Sequence, residues 1–586
     1  MRAEAGSATG GSATSRQPAW FELEASLLVL LVALAFFTRL DRLPIRGDES
    51  NWAIVAQEMI SGGDWIVPRR QGEPFADRPP LNSWCIAISS WLCGRCDAFS
   101  IRLPSVTAVL ITTLSIYFYS RRFLSSVGAL AAAATFATMA HQLRMGRLAE
   151  SDNLLTCCLV SSLFVWSAGY LQGRSPLRTW MISYFLAAFA ALAKGPQGPV
   201  YFVAITSGFL ILRRDWRYLF STAHLAGIVT MVAVLGAWFV PFCLRTDLTS
   251  ALNVWSEQGR IGERFDYSDW RHGLRHLVFF PIWLFGSMLP WSFLLIPLVS
   301  RRLRESFGAT RPYAQFLGLC WLLTLPTVWL SPDSGPRYIM SMYPIAAALV
   351  GMVVAHTWKL AGDKFWETYW SRFLLGNALM FGGASFVFFA CGRGLPIASL
   401  DRLKQPLGLA VVYIVFACAA SFALLRARRN AGPLHAKIAI LSLAGLMCAV
   451  VSGAWLDTAA SGSIDPAREV AEVRTRLPSD VRLVSLGPAH HRFLYYYQSP
   501  VEQLDWTVAD RELPPHVDYF CVTQAEGVPV GLPFDWEPVG TISCDRAPRT
   551  DANRVVIGRV CRASSEKQRE RRPIIVAEGT SGTILR

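Results

Sequence analysis

The stretch GDESNWAIVAQEM opens with two acids, Asp48 and Glu49, directly after an apolar run. A carboxylate in that place can take a proton from an attacking hydroxyl. Asp48 can equally cap a helix running through Met59. Both readings stand on this stretch alone. Further on, Asp77 sits beside Arg78 and the pair Pro79–Pro80, whose rings limit where both side chains point. The segment RMGRLAESDNLLT (144–156) carries Arg147, Glu150 and Asp152 just ahead of another apolar run. Asp152 reads either as a helix cap or as a second acid facing the same cavity as Asp48. Lys194, in LAKGPQGP, lies between two long uncharged runs. An ionisable group that close to an apolar layer is costly and is usually paired. Snorkelling to lipid headgroups is the competing reading. Arg337 and Tyr338 follow in SPDSGPRYIM (331–340). Cations of this kind can hold a lipid phosphate and its leaving charge, while a carboxylate serves as base.

These groups need a scaffold, and composition points to a membrane. Apolar residues make up 52% of the 586, and 17% are charged, against roughly 25% charged in soluble folded chains. That excludes a disordered chain and a secreted disulfide scaffold, and argues against one large water-soluble domain. The formal net charge of +14 would suggest nucleic acid in a soluble protein. Here the basic residues must first be placed around a bilayer. A span needs about 20 mainly apolar residues, and its backbone must pair internally as a helix. About 13 transmembrane helices are expected, from 22–39 to 436–454. Lys194, Gly195 and Pro196 split 179–193 from 197–212, and 277–299 reads as one span. The apolar stretch at 26–37 reads as a retained helix rather than a signal peptide. Alternate short loops hold eighteen Lys and Arg against seven. The richer set is expected in the cytoplasm. That puts the N-terminus inside, the C-terminus outside and every candidate residue above on the outward face.

The expected organisation is an all-α multi-span membrane domain followed by a small outward α/β domain. Residues 1–21 form a cytoplasmic segment. Residues 22–454 form the membrane domain, with long outward loops at 40–100 and 242–276. Residues 455–563 form the outward domain, with strands near 481–486, 518–522 and 554–560 and a helical stretch at 491–497. Residues 564–586 read as a disordered tail. Cys93 and Cys96 form a C-x-x-C, read as interface packing or a redox or metal pair. Cys521, Cys544 and Cys561 are an odd set whose pairing sequence does not give.

The pieces GDESNWAIVAQEMISGGDWIVPRRQGEPFADRPPLNSW (47–84), RLPS (102–105), GRLAESDNLLT, LAKGP (192–196) and PRYIMSMYP (336–344) carry a resemblance. Together they resemble the polyprenyl-phosphate-sugar glycosyltransferases of the GT-C class, a family that includes lipid A aminoarabinose transferases and, more distantly, protein O-mannosyltransferases. The similarity is dense over about 25–345. It implies a membrane enzyme of the bacterial inner-membrane type. Such an enzyme inverts a sugar as it moves it from an outward-facing polyprenyl phosphate to a hydroxyl of a lipid, glycan or protein. It implies Asp48 as catalytic base, with Glu49 and Asp152 as the other catalytic acids. Arg78, Arg147, Lys194, Arg337 and Tyr338 are the implied donor contacts. No cofactor is certain; a divalent metal at Asp77 is the one left open. Asp77-Arg78-Pro79 stands where relatives often carry Glu-Lys-Pro. Asn51-Trp52 stands where they usually carry Arg-Tyr, so the sugar is not implied. Partners are the lipid-linked sugar, a hydroxyl acceptor and the bilayer, with no nucleic acid. The competing classes are a multi-span secondary transporter, which would carry its unusual charges nearer the bilayer midplane, and a non-catalytic membrane assembly protein.

Overall fold

The computed structural model describes residues 17–256, 269–332, 334–358, 363–392, 407–430, 432–461, 463–506, 513–525, 528–544 and 553–561. The tail expected at 564–586 and part of the 242–276 loop lie outside these residues. The chain divides into two compact units, Met1–Ser463 and Ile464–Arg586.

The first unit is helical. Helix α1 (Gln17–Val32) runs into a wider turn at Ala33–Phe37, and the chain then loops to α2 (Glu49–Gly62). A short hairpin, β1 (Arg69–Arg70) with β2 (Glu73–Pro74), precedes α3 (Leu81–Cys93). Helix α4 (Ala98–Ser120) starts at a reciprocal cap between Asp97 and Ser100, which satisfies two donors that a helix start leaves unpaired. Helix α5 (Ser126–Thr138) is rich in buried alanine. Its Gly128 leaves room for Ala355 and the Gly351 carbonyl of the Tyr343–Thr357 helix, which a Cβ would meet at 2.7 and 2.8 Å. Small residues let two backbones approach where lipid offers no hydrophobic drive. A short α6 (Ala140–Met145) leads to α7 (Ser151–Leu171), α8 (Pro176–Lys194) and α9 (Gln197–Arg213). Gly195 and Pro196 separate α8 from α9.

Six described helices are long and apolar enough to cross a membrane. They are Ala98–Ser120, Ser151–Leu171, Pro176–Lys194, Trp216–Cys243, Pro336–Thr357 and Pro433–Val450. A seventh arises if the bent pair Trp270–Ser287 and Trp291–Val299 counts as one span. This is the run read from sequence as a single span, and the chain bends by 118° between the two pieces. Pro290 accounts for the break, because it offers no N–H to continue the helical ladder. Leu225, Val229, Val232 and Val240 stand exposed on Trp216–Cys243, as a lipid-facing surface requires. The protein is a multi-pass membrane protein.

The second unit is built on a five-stranded sheet in the order β4-β3-β5-β7-β6. Strand β3 (Leu483–Leu486) runs parallel to β4 (Glu502–Leu504) and β5 (Tyr519–Ala525). Strand β7 (Asn553–Val560) runs antiparallel to β5 and to β6 (Trp536–Ser543). Val484, Val517 and Phe520 form its buried core. Helices Ala467–Arg476 and His491–Tyr497 accompany the sheet.

Candidate active site

The candidate site lies at the end of the helical unit where α2 and α7 begin and α8 stops. Gly47 turns the chain into α2 with φ +54°, a conformation that costs a non-glycine residue. A Cβ there would also meet Glu150 Oε1 at 3.5 Å. The turn leaves Asp48 as the residue preceding α2, half-buried, and its side chain makes no capping hydrogen bond. The capping reading therefore does not hold, and the carboxylate is not committed to the helix. Its charge acts on Glu150 and Arg337 across the site.

Glu49, one residue on, is fully buried and committed. Arg102 grips it with two hydrogen bonds of 2.7 Å, from Nε to Oε1 and from Nη2 to Oε2. The same guanidinium donates to the carbonyls of Leu40 and Leu43 at 2.8 Å and of Pro44 at 3.0 Å. These five bonds equal the donor capacity of an arginine. Glu49 also accepts from the amides of Arg46 and Ala149. Burial alone would raise its carboxyl, but the Arg102 charge and hydrogen bonds, with those two amides, hold it below its usual value. The pair thus ties the 40–49 loop to the loop that carries Glu150 and Asp152.

Asp152 lies in the first turn of α7 and is 3% exposed. It accepts from Lys194 Nζ, and from Arg337 Nε at 2.8 Å. Arg337 Nη2 reaches Glu150 Oε2, also at 2.8 Å. Lys194 ends α8, is buried, and lies 5.5 Å from the centre of the Tyr338 ring, within range of a cation–π attraction. The Glu150 carboxyl is pushed up to about 7, first by burial and further by Asp152 and Asp48, against the pull of Arg337 and Arg78. Arg337 is the most open member, with 30% of its side chain exposed. Arg78 donates to Ser151 Oγ at 3.0 Å and stacks on Trp52 at 5.3 Å.

The structure brings Asp48, Asp152, Lys194, Arg337 and Tyr338 together, and Arg78 reaches the start of α7. Arg147 is placed elsewhere. It is buried and donates to the carbonyls of Ala35, Thr38 and Arg39, at the end of the first helix. Burial lowers it to about 10. Asp77 is exposed. Among the described residues no group of three or more His, Cys, Asp or Glu is placed to hold a metal. Sequence reasoning gave no role to Arg102 or Arg70. Arg70 donates to Asn51 Oδ1 at 3.0 Å and packs 4.9 Å from the Phe75 ring centre. The two departures from the family pattern, Asn51 and Trp52, thus each face a guanidinium.

Comparison with known proteins follows the same lines. The profile of a family described as dolichyl-phosphate-mannose-protein mannosyltransferase matches residues 77–240. An undecaprenyl phosphate-alpha-4-amino-4-deoxy-L-arabinose arabinosyl transferase of Pseudomonas paraeruginosa is 26% identical over 405 residues, 68% of this chain and 70% of the relative. One of the same description from Erwinia tasmaniensis is 26% identical over 362 residues, 61% of this chain and 62% of the relative. The crystal structure of ArnT from Cupriavidus metallidurans bound to undecaprenyl phosphate aligns with a TM-score of 0.62. That alignment is 16% identical and covers 92% of this chain and 98% of that one. The chain resembles the polyprenyl-phosphate-sugar glycosyltransferases of the GT-C class. The structural match extends over both units, so the fold is shared well beyond the stretch that the family profile covers.

Proposed function

We propose that the protein is an inverting glycosyltransferase that moves a sugar from an outward-facing polyprenyl phosphate to a hydroxyl acceptor. The observation that carries this is an uncommitted carboxylate, Asp48, within range of the charge of Arg337, which shares Asp152 with Lys194 at one end of a membrane bundle. The acceptor oxygen forms a bond to the anomeric carbon from the face opposite the phosphate. The bond from that carbon to the phosphate oxygen breaks, and the acceptor proton passes to Asp48. One displacement inverts the centre. Lys194, Arg337 and Arg78 take up the charge that grows on the leaving phosphate. Asp152 orients both Lys194 and Arg337. Tyr338 holds Lys194 from its other side. Glu49 and Arg147 act as positioning residues, the first on the Asp48 turn and the second on the end of the first helix.

The finer topology is part of the same proposal. About 13 spans follow from the apolar runs, a cytoplasmic N-terminus and an outward C-terminal domain from the loop charges, and a bacterial-type inner membrane from the resemblance. The limits read from sequence, 1–21, 22–454, 455–563 and 564–586, differ from the fold's own division, which falls between Ser463 and Ile464. A transfer assay on purified protein tests the reaction. Transfer is expected from a polyprenyl-phosphate sugar and not from a nucleotide sugar offered alone. Efficient transfer from the nucleotide sugar would refute the lipid donor. Tags at 305 and 428 should be cytoplasmic and one at 570 external; a protected tag at 570 would overturn the odd span count.

A further inference from the structure

The Tyr343–Thr357 helix starts beside Arg337 and ends 15 residues later, about 22 Å from the candidate site. At that far end it meets the Lys364–Gly392 helix and the end of Leu407–Ala427 around a cavity of about 560 Å³. Arg372, Arg428 and Arg429 line it, and among the described residues Glu367 is the one acid in its wall. The cavity therefore carries an excess of positive charge. Trp366 also lines it; this side chain is 2% exposed, and its indole N–H meets no acceptor among the described residues. The neighbouring Trp370 spends its own N–H on Thr357 Oγ1 at 3.0 Å.

A second cavity of about 800 Å³ continues from the first, sharing Thr368 and Arg372. Its walls are apolar, from Phe293 and Ile296 on one side to Phe373, Met380 and Phe381 on the other. Along the Lys364–Gly392 helix it extends from Phe365 to Ala384, about 28 Å at 1.5 Å per residue. That is close to the thickness of a hydrocarbon core. A cationic, tryptophan-lined mouth joined to an apolar groove of this depth has the shape of an amphiphile with an anionic head. Basic pockets between spans are known takers of anionic headgroups, and tryptophan favours the headgroup level. A free anion would leave the groove unused. A zwitterionic head would bring an ammonium group to a mouth already positive.

We propose that this double cavity is a binding site for an anionic phospholipid, its phosphate held by Arg372, Arg428 and Arg429 and an acyl chain lying along the groove. The site is remote from the candidate active site and does not depend on the reaction proposed for it. The test is native mass spectrometry of the full chain, titrated separately with phosphatidylglycerol, phosphatidylcholine and undecaprenyl phosphate. Phosphatidylglycerol should bind at least about tenfold tighter than phosphatidylcholine, the gap that one or two charge-assisted contacts would give. Arg372→Gln/Arg428→Gln/Arg429→Gln should bring the two within about twofold. Gly376→Trp keeps the charges and fills the groove, where an added Cβ meets open space; it should weaken phosphatidylglycerol binding as well. If the triple variant does not fold, Gly376→Trp decides alone. Equal binding of the two phospholipids by the wild-type chain would overturn the proposal. So would undiminished phosphatidylglycerol binding by Gly376→Trp. Displacement of phosphatidylglycerol by undecaprenyl phosphate, lost in the same variants, would assign the cavity to that lipid instead and overturn it too.

Discussion

Two buried ion clusters lie side by side in this protein and are made of the same residue types. In one, Arg102 holds Glu49 and three carbonyls, and both members are about 1% exposed or less. In the other, Arg337 and Lys194 hold Asp152 and Glu150, Arg337 keeps 30% of its side chain open, and Asp48 stands within range of its charge. The first cluster is closed, with donors and acceptors matched. The second is open on one side and holds a carboxyl that is half-ionised near neutrality. Adjacent residues fall into different clusters: Asp48 and Glu49 differ by one position and by their whole chemical prospect. What separates a structural charge from a reactive one here is saturation of partners rather than residue type or depth. A closed buried pair is costly to break from one side. An open one can exchange a partner for a substrate phosphate.

The sharpest way to break this comparison is at Asp48. Asp48→Asn is isosteric and removes the base, so turnover should fall by about 10²- to 10⁴-fold. The folded yield and thermal midpoint should stay near wild type, because the side chain carries no cap bond. Near-normal turnover in purified Asp48→Asn would move the base to Asp152. The closed cluster should answer the other way. Arg102→Ala leaves a buried carboxylate and three carbonyls without their donor, a loss of about 3–5 kcal/mol. It should appear as a lower midpoint or lost expression. Glu49→Gln should lose less, since the amide oxygen can still accept from Arg102. If instead Arg102→Ala folds normally and only turnover falls, the two clusters are not different in kind.

Within the open cluster, Lys194→Ala and Arg337→Ala should raise the donor KM about ten- to a hundredfold, the worth of a hydrogen bond to a charged group. The acceptor KM should move little. A loss confined to expression, with unchanged kinetics per folded molecule, would reduce both residues to helix-end anchors.

Much of the open cluster was legible because its members interrupt apolar runs. Lys194 and Arg337 stand out against uncharged neighbours, and Asp48 and Asp152 flank helix starts. The closed cluster was not legible. Nothing in RLPS says that Arg102 reaches the carbonyls of residues 40–44, because that contact depends on how the loop folds back over α4. Arg147 read as a phosphate contact from its position beside Glu150. Its carbonyl partners lie more than a hundred residues earlier in the chain, and no local pattern signals them. In the second unit, β3, β5 and β7 carry dense runs of β-branched and aromatic residues. Strand β4 is three residues long, and β6 contains Pro538 and Gly540 at a register shift, so neither shows a clean alternation. The bundle was readable as membrane helices from hydropathy. The bend between Ser287 and Trp291 needed the proline to be read as a break.

The smallest effect, and the most specific to the open cluster, concerns Glu150. Its carboxyl titrates near about 7 in the folded protein, against 4.5 for an ordinary glutamate, because it is buried beside Asp152 and Asp48. Between those values the folded state holds a proton that the unfolded chain releases. Stability from this group is therefore lost as pH rises from about 4.5 to about 7, and the loss levels off above that. Function should move in step. Ionised Glu150 draws Arg337 toward itself, so the guanidinium has less to offer a donor phosphate. The donor is a phosphodiester, which does not titrate in this range. Its KM should rise a few-fold from pH 6 to pH 8 in the wild-type enzyme. Glu150→Gln cannot ionise, and should give a donor KM that is flat with pH and close to the wild-type value at pH 6. Steady-state kinetics across that range, at saturating acceptor, read the effect directly. A rise that persists unchanged in Glu150→Gln would place the titrating group outside this cluster. The open pair would then be as fixed as the closed one.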